Sequence, residues 1–270
     1  MIVIRRLLIA CLALSLFAAV AYGERMPAWE YPIAPEILYD ASDYITLTNV
    51  ETLLPSDYVP HDLVRLTAKR VSSMRDAELR KAASEAINDM FAAALEDGHT
   101  LYVKSAYRSY GTQDTMYQNR LARYGYDDGL VAYPGSSDHQ TGLGVDVLNY
   151  EWTLKDGMNE KFALESEAKW MAEHCHEFGF VIRYMEDKEE ITGIKYEPWH
   201  LRYVGPEVAA YMMENHLSLE EFTWEWQAYV EEYEGIGGDM QLLILQNRQV
   251  GPAVVVDMAD DGEEELAFAY

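Results

Sequence analysis

Between Asp76 and Tyr184 the hydrophobic period of the chain switches repeatedly between helix and strand without ever settling into a strand–helix–strand rhythm, and this limits the folds open to it. Leu79, Ala82, Ala83, Ala86, Ile87, Met90, Phe91 and Ala94 follow helical spacing across Asp76–Glu96, and Gly98 supplies a stop. Thr100–Tyr107 then alternates as a strand, and Thr112–Tyr124 returns to helix. Val145–Leu148 is a short β-type run behind a glycine-bearing loop, Glu165–Phe178 is helical, and Phe180–Tyr184 is strand-like after Gly179. Short strands between helices, out of βαβ order, predict an α+β fold with a small, largely antiparallel sheet flanked by helices.

The flanks read differently. Arg5 and Arg6, an apolar run over Leu7–Ala21 interrupted only by Ser15, and small residues at Ala19, Ala21 and Gly23 have the order of a secretory leader. Residues 1–23 are expected to direct export and be cleaved; an uncleaved anchor is the alternative, although the run falls short of the roughly 20 residues of a spanning helix. Residues 24–65, punctuated by Pro27, Pro32, Pro35, Pro55 and Pro60, read as an extended lead-in that wraps the domain of residues 66–226. Within that domain, Pro206–Trp226 is helical with a restart at Ser218-Leu219-Glu220-Glu221. Residues 227–270 form an acidic extension, in which Gln241–Gln246 and Ala253–Val256 are expected to pair as strands and Asp257–Glu265 to be a solvated tail.

Cleavage would remove Cys11 and leave Cys175 with no internal disulfide partner, so the fold must stand on its core. A hydrophobic fraction of 49 % is sufficient for that. The formal charge of −25 argues against nucleic acid and anionic lipid as partners, and no protein partner is indicated.

Chemistry is sought among the seven histidines. Glu-x-x-His occurs at Glu96–His99, Glu173–His176 and Glu197–His200, and a catalytic zinc needs further ligands from elsewhere. The loop Pro134–Val147 is the plausible source: His139 lies in its turn, Asp146 in the strand that follows, and Gly142 and Gly144 let the backbone fold tightly between them. His200 is the best third ligand, which leaves Glu197 beside the metal as a general base. Spacing alone leaves a second reading open, a loop hydrogen bond and a solvated carboxylate. His174 and His176 flank Cys175 on a helix but do not share a face, so no Cys/His cluster is expected there.

Ser137-x-His139-x-x-Gly142-x-x-x-Asp146, with Glu197-Pro198-Trp199-His200 and Ser105-Ala106-Tyr107-Arg108-Ser109, resembles the VanY-type D-alanyl-D-alanine carboxypeptidases of the M15 metallopeptidases. The resemblance is close over residues 105–205 and fainter upstream. It implies a Hedgehog/DD-peptidase-like fold, one zinc ion held by His139, Asp146 and His200, and Glu197 as catalytic base. It also makes Arg108 the group that holds substrate and steadies developing negative charge, with Gln113 and Ser137 lining the peptide site and Trp199 walling it. One departure is Gly144, where the family usually carries alanine. The implied function is a secreted D,D-carboxypeptidase acting on peptidoglycan stem peptides. An L,D-carboxypeptidase or D,D-dipeptidase on the same scaffold is the near alternative, and a non-catalytic zinc-bearing cell-wall binding module the distant one.

Overall fold

The computed structural model describes residues 26–40, 43–127 and 129–249. The leader, the segment Ala253–Val256 and the acidic tail Asp257–Glu265 therefore lie outside the described residues. No helix among the described residues is long and apolar enough to cross a membrane.

The central sheet has four strands, β3 (Leu101–Ser105), β4 (Gly144–Asn149), β5 (Phe180–Ile182) and β6 (His200–Tyr203), in the order β3-β4-β6-β5 with every pair antiparallel. A separate hairpin-like pair joins β1 (Leu63–Arg65) to β2 (Glu78–Arg80). The longer helices are α1 (Pro35–Asp40), α2 (Lys81–Glu96), α3 (Tyr110–Tyr124), α4 (Ser166–His174), α5 (Pro206–Glu214), α6 (Leu219–Gly235) and α7 (Met240–Gln249). This is the α+β class that the switching periodicity predicts.

Packing follows the apolar pattern. Ala83, Ile87, Met90 and Ala94 recur on one face of α2 and are fully buried against a cluster that includes Leu101, Val103, Val145, Val147, Phe180 and Leu201 from the sheet. A second cluster joins Tyr31, Ile33, Leu38 and Ile45 of the N-terminal segment to Val208, Ala209, Met212, Leu219 and Phe222 of α5 and α6. The helices α5 and α6 are separated at residues 215–218, and a capping box restarts the second: Ser218 Oγ accepts from Glu221 N while the Glu221 carboxylate accepts from Ser218 N. Cys175 is a buried free thiol whose pKa burial pushes up to about 12, as befits a small core residue.

Three sequence expectations differ from the structure. The first residues of the predicted 76–96 helix include β2, because Leu79 and Arg80 are buried in pairing with Val64 and Leu63 before the helix begins. Gln241–Gln246 is helical rather than a strand: Met240 and Ile244 are buried at an i, i+4 spacing, with Leu243 packed beside them. The strand β6 is an element the periodicity did not predict. It is buried at all four positions, so the alternation of His200 and Arg202 with Leu201 and Tyr203 does not mark a solvent face, and at four residues it is too short to stand out as a strand.

Candidate metal centre and substrate cleft

Antiparallel register builds the site. Asp146 of β4 lies directly opposite His200 of β6, and Ser105 of β3 pairs with Asp146 on the other side after an irregularity beyond Val103. Cross-strand partners present their side chains on one face, so two of the proposed ligands meet although they are 54 residues apart. His139 comes from a 3₁₀ turn, Asp138–Thr141, which ends at Gly142 with φ 68°. A Cβ at Gly142 would meet Leu63 Cδ2 at 2.9 Å, so this left-handed turn depends on glycine. The role of Gly144 is clearance: a Cβ there would lie 3.0 Å from Asp138 C and Cβ.

Glu197 reaches the same place through a β-turn. Pro198 occupies its second position, and His200 N donates to Glu197 O at 3.0 Å, so Glu197 stands at the mouth of β6 with its Oε2 3.9 Å from His200 Nδ1.

Candidate donor atoms of His139, Asp146 and His200 all lie within 4.8 Å of one another, and all three residues are buried. His139 Nδ1 is 2.8 Å from the Ala106 carbonyl, which can only accept, so Nδ1 carries the proton and Nε2 presents its lone pair. That lone pair faces Asp146 Oδ2 at 3.4 Å. Burial lowers the His139 pKa, and Arg108 reinforces this, so the imidazole favours the neutral form. Two buried acceptors facing each other are complementary to a cation, and two imidazoles with one carboxylate are the donor set that zinc takes when a position is kept open for water or substrate. The residues present fit a divalent transition metal.

His200 Nδ1 is 2.9 Å from Asp146 Oδ1. Its buried Nε2 has no hydrogen-bond partner, and Asp138 Oδ2 faces it at 3.7 Å. Burial opposes charge on this ring, but the Asp138 and Asp146 carboxylates outweigh it and raise the pKa to about 9. Burial raises Glu197 to about 7, with Asp146 and Asp138 adding to the effect and His200 and Arg108 opposing it.

Arg108 borders the same cleft. Its guanidinium donates to Gln113 Oε1 at 2.7 Å and Ser105 Oγ at 3.0 Å, and its backbone N–H donates to His139 O. The cleft of about 140 Å³ is lined by Arg108, Ser137, His139, Asp146, Glu197, Trp199 and His200, with Met116, Leu130, Met158, Tyr184 and Ile194 around them. It is small beside pockets of roughly 300–1,000 Å³ that hold whole drug-sized ligands, and suits the end of a chain. Gln113 is placed otherwise than expected: it is fully buried, is not among the lining residues, and uses Nε2 to donate to Ala132 O at 2.7 Å. It supports Arg108 from behind. A roomier apolar pocket of about 310 Å³ beside β5, bordered by Phe180, Ile182, Met212 and Met213, contains none of these groups.

Sequence reasoning placed Arg183 and Tyr184 at a strand end that borders the cleft or packs, and missed the roles of Asp138, Arg202 and Glu220 behind the site. Asp138 is fully buried and accepts from Arg183 Nε at 3.0 Å and from Arg202 Nη1. Glu220 of α6 accepts from both terminal nitrogens of Arg183, at 2.7 and 2.8 Å. Tyr184 stacks on His200 with ring centroids 5.1 Å apart. Asp138 is the residue before His139, yet a single acid beside a motif carries no spacing signal, and its arginines come from β6 and from the residue that follows β5.

Comparison with known proteins gives one consistent picture. The family VanY, D-alanyl-D-alanine carboxypeptidase, matches residues 76–206. The putative carboxypeptidase YodJ of Bacillus subtilis is 37 % identical over 191 residues, which is 69 % of each chain. A D-alanyl-D-alanine carboxypeptidase of Enterococcus faecalis is 39 % identical over 147 residues, and this chain spans 52 % of its length. Among solved structures, the LdcB LD-carboxypeptidase superposes with a TM-score of 0.62 at 38 % identity, covering 67 % of this chain and 86 % of that one. A mutant of the D,D-pentapeptidase VanY from a VanB-type resistance cassette, in complex with Zn(II), gives 0.55 at 33 % identity, covering 67 % and 99 %.

Proposed function

The chain belongs to the VanY family of D-alanyl-D-alanine carboxypeptidases, and from that membership we propose that it is an exported zinc D,D-carboxypeptidase that removes the terminal D-alanine of peptidoglycan stem peptides. The observation that carries this reading is the buried lone-pair contact between His139 and Asp146, closed by His200 and flanked by a carboxylate, Glu197, that has no place in the ligand trio.

His139, Asp146 and His200 would hold the ion. Bound zinc supplies Lewis acidity, bringing the pKa of water to roughly 7 and polarising the scissile carbonyl. The side chains of the chain itself do the rest. Glu197, with its pKa raised to about 7 by burial, can accept a proton from the attacking water and pass it to the departing amine nitrogen. Arg108, held by Gln113 and Ser105, offers the remaining N–H groups of a planar fork to the terminal carboxylate of the substrate or to the oxyanion that develops. Trp199 and Tyr184 wall the cleft, limiting water around the reacting bond. Export through residues 1–23 would bring these groups to the substrate.

A second reading, L,D-carboxypeptidase activity on tetrapeptides, is favoured by the 38 % identity to LdcB. Incubating the zinc-loaded protein with a pentapeptide ending in D-Ala-D-Ala and with the matching tetrapeptide separates the two. Release of D-alanine from the pentapeptide, abolished by a chelator and restored by zinc, is the expected result. Release from the tetrapeptide alone moves the assignment to L,D-specificity, and no release from either removes the enzymatic reading.

A further inference from the structure

Four buried charges stand behind the ligand His200. Asp138, Arg183, Arg202 and Glu220 are each no more than 1 % exposed, and together they sum to zero. The division of hydrogen bonds among them is specific. Glu220 takes both terminal nitrogens of Arg183, so Arg183 has only Nε for Asp138 Oδ2. Arg202 gives Nη1 to Asp138 Oδ1 and sends Nη2 to the carbonyls of Tyr44 and Thr46. Asp138 Oδ2 is thus left with capacity on the side that faces His200 Nε2, the one nitrogen of the two imidazoles that is buried and has no partner. Glu220 is itself fixed by Asn49, whose Nδ2 donates to Oε1 at 3.3 Å.

We propose that Glu220 is a positioning residue for the metal centre, acting on His200 through Arg183 and Asp138. The inference rests on the metal-dependent function proposed above. It extends the site beyond residues 76–206, where the family match ends, onto α6 and the N-terminal segment. The physical argument is competition for one carboxylate. With Glu220 in place, the Arg183 fork is occupied and Asp138 Oδ2 stays the acceptor that faces the otherwise unpartnered His200 Nε2, at 3.7 Å; an Nε2–H directed there would leave Nδ1, 2.9 Å from Asp146 Oδ1, to serve the ion. Without the Glu220 charge, the fork of Arg183 turns on Asp138, the carboxylate is claimed by two guanidiniums, and His200 loses the acceptor that orients it.

The test is a zinc titration of the metal-free protein against a chromophoric chelator, comparing wild type with Glu220→Gln, together with thermal melts of the metal-free forms and the visible spectrum of each loaded with cobalt(II). Glu220→Gln is expected to weaken zinc binding by about tenfold, the scale of outer-shell losses, and to shift the cobalt spectrum, with Glu220→Asp recovering part of the affinity. Zinc affinity within about twofold of wild type, with only a lower melting temperature, makes Glu220 purely structural and overturns the proposal. Should Glu220→Gln fail to fold, Asn49→Ala, which frees one Glu220 oxygen, is expected to weaken zinc binding in the same direction by a smaller factor; unchanged affinity there is equally fatal. A wild-type protein that takes up no zinc defeats the proposed function itself, a result distinct from equal binding by the two proteins.

Discussion

Two polar clusters share His200 and are built on opposite principles. On the cleft side, His139, Asp146, His200 and Glu197 leave acceptors facing acceptors and a carboxylate with a pKa raised to about 7 by burial. Behind it, Asp138, Arg183, Arg202 and Glu220 balance their charges, and every guanidinium nitrogen of the two arginines donates a hydrogen bond. Burial would raise the Asp138 pKa, but Arg202 and Arg183 outweigh it and hold the carboxyl well below its usual range. A buried polar group without a partner costs stability, so a fold retains an unbalanced cluster where a ligand completes it, while a balanced one serves to hold its neighbours in place. The difference separates the reacting groups from their support.

The contrast can be broken most sharply at Glu197. Glu197→Gln is expected to lower kcat by roughly 10²–10⁴-fold while the protein keeps its zinc and melts no lower than wild type, because it removes a proton carrier and no balanced charge. His139→Ala, measured alongside, should lose the metal as well as the activity. Retained turnover in Glu197→Gln would remove that residue from its role. On the balanced side the effect should appear in stability: Arg183→Met leaves the buried Glu220 without its ion-pair partner and Asp138 with Arg202 alone, and is expected to cost about 3–5 kcal/mol in chemical denaturation. A neutral outcome there would mean the quartet is less tightly coupled than its geometry indicates.

Gly144→Ala probes the seam between the clusters. Its new Cβ would lie 3.0 Å from Asp138 C and Cβ, so Asp138 must give by a few tenths of an ångström, and slightly weaker metal binding is the expected result of a zinc titration. Gln113→Ala is the mildest test. It loosens Arg108 without touching the ligands, and about a tenfold rise in KM with little change in kcat is expected if Arg108 grips the substrate in the ground state. An equal fall in kcat would place the contribution of Arg108 in the transition state instead.

The sequence alone carried the fold class, because the apolar faces of α2 and of the sheet strands recur at periods that only helix and strand satisfy. It also carried the residues that meet at the candidate metal centre, through the match of His139, Asp146, Glu197 and His200 to the family motif, whereas their spacing alone left a second reading open. Only the tertiary structure decided what stands behind them. β6 is buried at every position, His200 and Arg202 included, which local pattern does not reveal, and α7 is helical where strand was expected. The pairing of Asp138 with Arg183 and Arg202, and of Arg183 with Glu220, joins residues between 37 and 64 positions apart. Such partners are chosen by the register of strands and the docking of α6. A one-dimensional sequence records which charges a chain possesses, but their balance is settled where the folded chain brings them into contact.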